Sequence, residues 1–267
     1  MKVNMKKYVK SMIFMVSVFF ANTLFAGSSQ AGGKIHYTPE QIVKFAKSVE
    51  KTLAKKGARI AIIGRVGRAR KDLPEGISFT HTALIVYSEI TTKDRRKLPG
   101  YVIYNLYQRA NKLDVSDLVM DYPVDFFAGV EELEAGLIIP TPQLQRKLLE
   151  VISSPTYKEL HNSSYSVIAN PFTEGFQNCT EHTLDVITAA LYNTSDLKVI
   201  KANERVYFEP QEIKVNPLKL FLGSMFKKDV TLSDHSNTPV TATFTTINKF
   251  LTQYNLVSES LILKPTI

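Results

Sequence analysis

Phe79-Thr80-His81-Thr82-Ala83-Leu84-Ile85-Val86-Tyr87-Ser88-Glu89-Ile90 is the stretch on which the fold turns. Its density of β-branched and aromatic residues reads as a strand rather than a helix. Residues 91–100 follow as a charged turn carrying Lys93-Asp94-Arg95-Arg96-Lys97, and residues 101–107 return as a second apolar and aromatic run. The pair predicts an antiparallel hairpin with His81 near the start of its first strand. Upstream, Arg59-Ile60-Ala61-Ile62-Ile63-Gly64 reads as a buried strand, and a polar loop carrying Arg65, Arg68 and Arg70 leads from it to Pro74-Glu75-Gly76. Downstream, residues 137–140 predict another strand and residues 164–169 a short one ending at Asn170-Pro171.

Helices are legible from their starts. Thr38-Pro39-Glu40-Gln41 is a capping-box pattern with Pro at the first position, followed by Ile42, Phe45, Ala46, Val49 and Leu53 at helical spacing. Thr141 with Pro142 opens a second helix carrying Leu144, Leu148 and Ile152 on one face. Asn178 is an N-cap with Glu181 at the third helical position, which places Cys179 in the first turn of a third helix through Leu184, Ile187 and Leu191. Residues 193–241 have no clear period, whereas residues 244–254 predict a helix and 261–264 a last strand. The sum is an α+β chain.

Lys2, Lys6, Lys7 and Lys10 precede an almost wholly apolar run from Met12 to Ala26, which predicts a secretory signal peptide over residues 1–31. The run is too short and too interrupted by Ser17, Asn22 and Thr23 for comfortable membrane spanning. Ser29-Gln30-Ala31 is the expected cleavage site, with Ala26 a second candidate whose Leu24 two places before it suits less well, so residues 32–267 are expected as one domain with a C-terminal elaboration from about 193. Removing four lysines and no acid lowers the formal charge from +8 to +4. That small, dispersed excess argues against a nucleic-acid surface, and the expected location is periplasmic or secreted, with no stable membrane anchor after cleavage.

Cys179 is the single cysteine. In an oxidising compartment it cannot be an intramolecular staple, which leaves a buried small residue, an intermolecular link or a nucleophile. A helix start favours the thiolate. Its base is expected to be His81, anchored on the sheet, while His182 lies one helical turn beyond Cys179. The residue that orients the imidazole is Asn105 or, on the opposite face, Tyr104, because the strand register is not fixed by the sequence. His36, His161 and His235 are scattered without ligand spacing, so no metal and no cofactor is implied.

Ser78-Phe79-Thr80-His81-Thr82-Ala83-Leu84-Ile85-Val86 and Phe176-Gln177-Asn178-Cys179-Thr180-Glu181-His182 resemble the circularly permuted branch of the NlpC-type, papain-like cysteine hydrolases, which includes the lecithin:retinol acyltransferase-like enzymes. More closely, Gly64-Arg65-Val66-Gly67-Arg68, Asp125-Phe126-Phe127 and Tyr165-Ser166-Val167-Ile168-Ala169-Asn170-Pro171-Phe172 resemble a family of exported bacterial proteins known only as a domain of unknown function. The similarity covers roughly residues 58–192. It implies a papain-like antiparallel sheet packed against the helix that bears Cys179, with extra helices, and thiol acyl chemistry by Cys179, His81 and Asn105. Related permuted enzymes often place a second His where this chain offers Asn105. Gln177 and the backbone N–H of Cys179 are candidates for stabilising an oxyanion. The expected function is an exported hydrolase of an amide or ester bond in cell-envelope material, either peptidoglycan peptide or acylated lipid. The alternative is a non-catalytic envelope-binding protein whose groove draws on the aromatic residues of 101–107 and 122–127.

Overall fold

The computed structural model describes residues 35–214 and 230–265. The proposed signal peptide and the segment 215–229 lie outside the described residues. Strand β1 (Ile60–Val66) is buried along its whole length because it runs between β2 (His81–Thr91) and β5 (Glu132–Pro140). With β3 (Lys97–Arg109), β4 (Lys112–Asp121) and β8 (Val257–Leu263) these strands form a six-stranded sheet of order β4-β3-β2-β1-β5-β8, antiparallel at every pairing.

Period-two alternation divides the core between two faces. Ala61, Ile63, Ala83, Ile85, Ile103 and Leu137 pack with Phe45, Val49 and Leu53 of α1 (Pro39–Lys55) and with Phe126 and Phe127 of α2 (Pro123–Phe127). Ile60, Ile62, Leu84, Val86 and Ile138 face α3 (Pro142–Ser153), α5 (Cys179–Tyr192) and α7 (Phe244–Gln253). Cover on both sides explains why the central strands read as continuous apolar runs. Two further helices, α4 (Thr156–Glu159) and α6 (Leu197–Tyr207), and a small ribbon of β6 (Gln211–Glu212) with β7 (Val240–Thr241), complete the mixed α+β arrangement of the described residues. No helix of the described residues is long and apolar enough to cross a membrane.

The predicted caps are present. Thr38 and Gln41 form the reciprocal capping box, Thr141 accepts from Leu144 N, and Asn178 accepts from the N–H groups of Thr180 and Glu181. The Glu181 carboxylate does not complete a box, because Lys201 Nζ draws it away at 2.8 Å. Twelve of the fourteen residues of α5 are buried, so its polar positions need partners inside the protein.

Two expectations are corrected. The β2–β3 pairing continues to Thr91↔Lys97, so the charged turn is shorter than 91–100, and it closes with Arg95 in the left-handed region at φ 64°. Residues 164–169 form no strand. They make only isolated bridges, Val115↔Ser164 and Tyr165↔Gln177, before turning through an Ala169 N–H to Ser166 carbonyl bond. Tyr165, Val167 and Ile168 instead line a cleft at one end of the sheet.

Candidate functional site

At the end of the sheet where β2 begins, His81 is held by a chain of three buried side chains. Its Nε2 lies 3.0 Å from Asn105 Oδ1, Asn105 Nδ2 donates to Asp121 Oδ1 at 2.6 Å, and Tyr107 Oη donates to Asp121 Oδ2 at 2.8 Å. The carboxylate fixes the rest. An ionised Asp121 only accepts, so the Asn105 amide must turn its NH2 toward Asp121 and its oxygen toward His81. The imidazole is therefore the Nε2–H tautomer, and its lone pair sits on Nδ1, which is buried and has no hydrogen-bond partner among the described residues. Tyr107 stacks on the ring at 4.9 Å and 11°, and Phe126 closes the other side at 5.6 Å.

Burial, helped by the charge of Arg65 and opposed by the Asn105 bond, lowers the His81 pKa to about 3. The imidazole is neutral at physiological pH. Burial raises Asp121 to about 7, against the stabilising effects of Tyr107, Arg65 and Asn105. The carboxylate form assumed above therefore takes over as pH rises through 7.

Cys179 opens α5 and is 7% exposed. Its sulfur lies 3.7 Å from Thr180 Oγ1 and rests beside the Thr82 backbone, while Thr180 Oγ1 in turn donates to Thr82 Oγ1 at 3.4 Å. Leu106, Leu118 and Tyr165 surround it. The helix start was expected to favour the thiolate, yet burial pushes the thiol up, outweighing Thr82, Thr180 and Arg65. Asn178 Oδ1 already takes the Thr180 and Glu181 N–H groups, which leaves less of the positive helix end to the sulfur.

The His81 ring lies on the α2 face of the sheet, whereas α5 covers the other face. The two residues converge at the sheet end, where both line one cleft of about 160 Å³ together with Arg65, Thr80, Tyr165 and Thr243. Cys179 Sγ and His81 Nδ1 are not hydrogen-bonded to each other.

Of the residues expected around this centre, the structure brings Cys179, His81 and Asn105 to it and takes three away. Tyr104 points to the opposite face and packs edge-on against Tyr157 at 5.5 Å, which gives the imidazole partner as Asn105. Gln177 Nε2 donates to Leu160 O and to Asp185 Oδ2, and its oxygen accepts from Asn162 N, so no donor remains for an oxyanion. His182 packs against Tyr157 and His161, away from the cleft. Of the aromatic groove proposed from 101–107 and 122–127, Tyr101, Phe126 and Phe127 are core residues, and Tyr107 is committed to the His81 network.

Sequence reading missed Asp121, Tyr107 and Arg65 as parts of the centre. Tyr107 shares the parity of Asn105 on β3, which was the available signal. Asp121 reaches the site through the β3–β4 register, in which it pairs with Ile103, and strand β4 was not foreseen.

No curated protein and no solved structure matches the chain. Residues 52–251, from within α1 to within α7, match one family model, a span that runs past the expected 58–192 into the last helix covering the sheet. The chain therefore belongs to the bacterial family described as "Uncharacterized protein conserved in bacteria (DUF2145)".

Proposed function

We propose that the protein is an exported cysteine hydrolase with a permuted papain-like arrangement, cleaving an amide or ester bond of cell-envelope material. One observation carries the reading. The only thiol of the chain and an imidazole whose tautomer is fixed, with its Nδ1 lone pair unused, line the same cleft.

The resting pair is neutral, a buried thiol and a buried imidazole lining one cleft. Attack of sulfur on the carbonyl carbon then runs together with transfer of the thiol proton to His81 Nδ1. The imidazolium so formed donates Nε2–H to Asn105, whose amide passes the interaction to Asp121, and this chain stabilises the positive charge. Collapse of the tetrahedral adduct breaks the bond to the leaving amine or alcohol, which takes the proton from Nδ1, and leaves an acyl-thioester on Cys179. Water, deprotonated by His81, hydrolyses the thioester and restores the thiol. The lysine-led apolar N-terminus supports delivery to the envelope, where stem peptides and acylated lipids are the accessible substrates.

The buried thiol without an imidazole contact favours one second reading, a non-catalytic protein that binds envelope material in the cleft. Labelling by a carbonyl-mimetic electrophile separates the two. The hydrolase reading expects His81→Ala to slow labelling of Cys179 at pH 7 by about 100-fold or more, the scale of general-base assistance. Equal rates in wild type and variant leave the binding reading.

A further inference from the structure

The Gly64-Arg65-Val66-Gly67-Arg68 stretch has no role in the chemistry above, yet it puts a cation into the cleft. Arg65 pairs across the strands with His81 and is 3% exposed. Its guanidinium lies over Phe126 at 4.8 Å and Tyr107 at 5.5 Å, and its one hydrogen bond among the described residues runs from Nη1 to the Phe126 carbonyl. It makes no ion pair among the described residues. Other arginines of the chain do: Arg70 holds Glu132 and Glu134, Arg109 holds Asp117, and Arg96 holds Asp94. The buried Lys201 is surrounded by Glu181, Asp185 and Glu204.

A buried guanidinium without a counter-ion is costly, and two aromatic faces offset only part of that cost. It has five N–H donors, of which the described residues use one. Asp121 acts on Arg65 only through space: its carboxylate feels the guanidinium charge, but no ion pair joins the two and its oxygens accept from Asn105 and Tyr107, so the Arg65 donors are not taken up by it. Arg68, exposed at the mouth of the same cleft, also makes no ion pair among the described residues.

We propose that Arg65 seats a carboxylate of the substrate beside Cys179, with Arg68 drawing the anion toward the cleft, so that the hydrolase acts next to a free carboxylate. A planar guanidinium matches a carboxylate through two parallel N–H···O bonds, and one buried positive charge balances a monoanion. A phosphate dianion would leave excess negative charge in a cleft of about 160 Å³ that has no second buried cation among its described lining residues. The role assigned to the carboxylate rests on the hydrolase reading, whereas the anion seat itself is testable apart from it.

The test compares alkylation of Cys179 by iodoacetate, which carries a carboxylate, and by iodoacetamide, its neutral counterpart. The ratio of the two rates is divided by the same ratio for glutathione in the same buffer. The wild-type protein is expected to favour iodoacetate by at least about tenfold on this scale, Arg65→Lys to keep most of the preference, and Arg65→Gln to abolish it. A wild-type ratio within about twofold of that of glutathione overturns the proposal, and this reading needs no variant to fold.

A second arm uses the Cys179→Ser protein and reads the rise in Tm given by N-acetylglycine, N-acetylaspartate α-amide and the neutral N-acetylglycinamide. Stabilisation by either carboxylate and not by the neutral amide supports the seat, and the stronger of the two identifies a terminal or a side-chain carboxylate as its source. Stabilisation with a thiol inert to both alkylating reagents leaves the seat standing and removes the hydrolase. Reactivity that depends on His81, with no carboxylate preference in either arm, leaves the hydrolase and removes the seat.

Discussion

The His81–Asn105–Asp121 chain makes a quantitative demand on stability. Replacing Asn105 with Ala deletes the 3.0 Å contact to His81 and the 2.6 Å bond to Asp121, both fully buried. The stranded ring N–H costs about 1–3 kcal/mol and the stranded carboxylate oxygen about 2 kcal/mol or more, which gives a loss of about 3–5 kcal/mol. His81→Ala removes a ring held between Tyr107 and Phe126 and should cost about 2–4 kcal/mol.

The decisive quantity is their coupling. Urea unfolding of wild type, both single variants and the double variant at pH 8, where Asp121 is mainly ionised, should give an interaction energy of about 1–2 kcal/mol. An interaction energy below about 0.5 kcal/mol would refute the reasoning, because the two side chains would then be acting independently and the tautomer argument would have no support.

Lys201→Met strands Glu181, Asp185 and Glu204 around an uncharged side chain and should cost about 3–5 kcal/mol in the same unfolding assay; a loss under 1 kcal/mol would contradict the buried-cluster description. Gly64 and Gly136 are cross-strand partners beneath the Phe79–Phe244 pair, and a Cβ on Gly136 would meet Phe244 Cζ at 2.7 Å and Phe79 Cζ at 2.8 Å. Gly136→Ala should therefore lower stability by about 1–3 kcal/mol through overpacking, and an unchanged Tm would mean that the rings have room to move. Asp121 and Glu181 have folded pKa values raised to about 7 and 8, so their contribution is complete below the unfolded values of 3.8 and 4.5 and is lost as pH rises through 7 to 8. His81 and His182, lowered to about 3 from 6.5, act with the opposite sign, their contribution being complete above 6.5 and lost as pH falls toward 3. The Tm profile should accordingly be broad between pH 4.5 and 6.5 and decline on both sides, and a maximum at pH 8 would contradict these directions.

Much of the secondary structure was legible because it is written locally. Thr38, Thr141 and Asn178 cap their helices through hydrogen bonds spanning two or three residues, so the caps survive whatever packs on them. Residues 79–90 and 101–107 lie within β2 and β3 apart from the first two, since a long β-branched run has few other ways to be buried. Residues 164–169 misled because their apolar alternation is used to line a cleft rather than to join a ladder.

The sequence by itself determined the hairpin that carries His81, the helix that begins at Cys179 and the existence of a polar residue on the neighbouring strand, since each follows from neighbouring residues and simple periodicity. Only the tertiary structure decided that Asn105 rather than Tyr104 meets the imidazole, that Asp121 fixes its tautomer and that Arg65 enters the cleft without an ion pair among the described residues. It also decided that the Cys179 thiol is raised rather than lowered. Register and burial are set by contacts between residues far apart in the chain, and desolvation in that buried site outweighs what a helix start contributes locally.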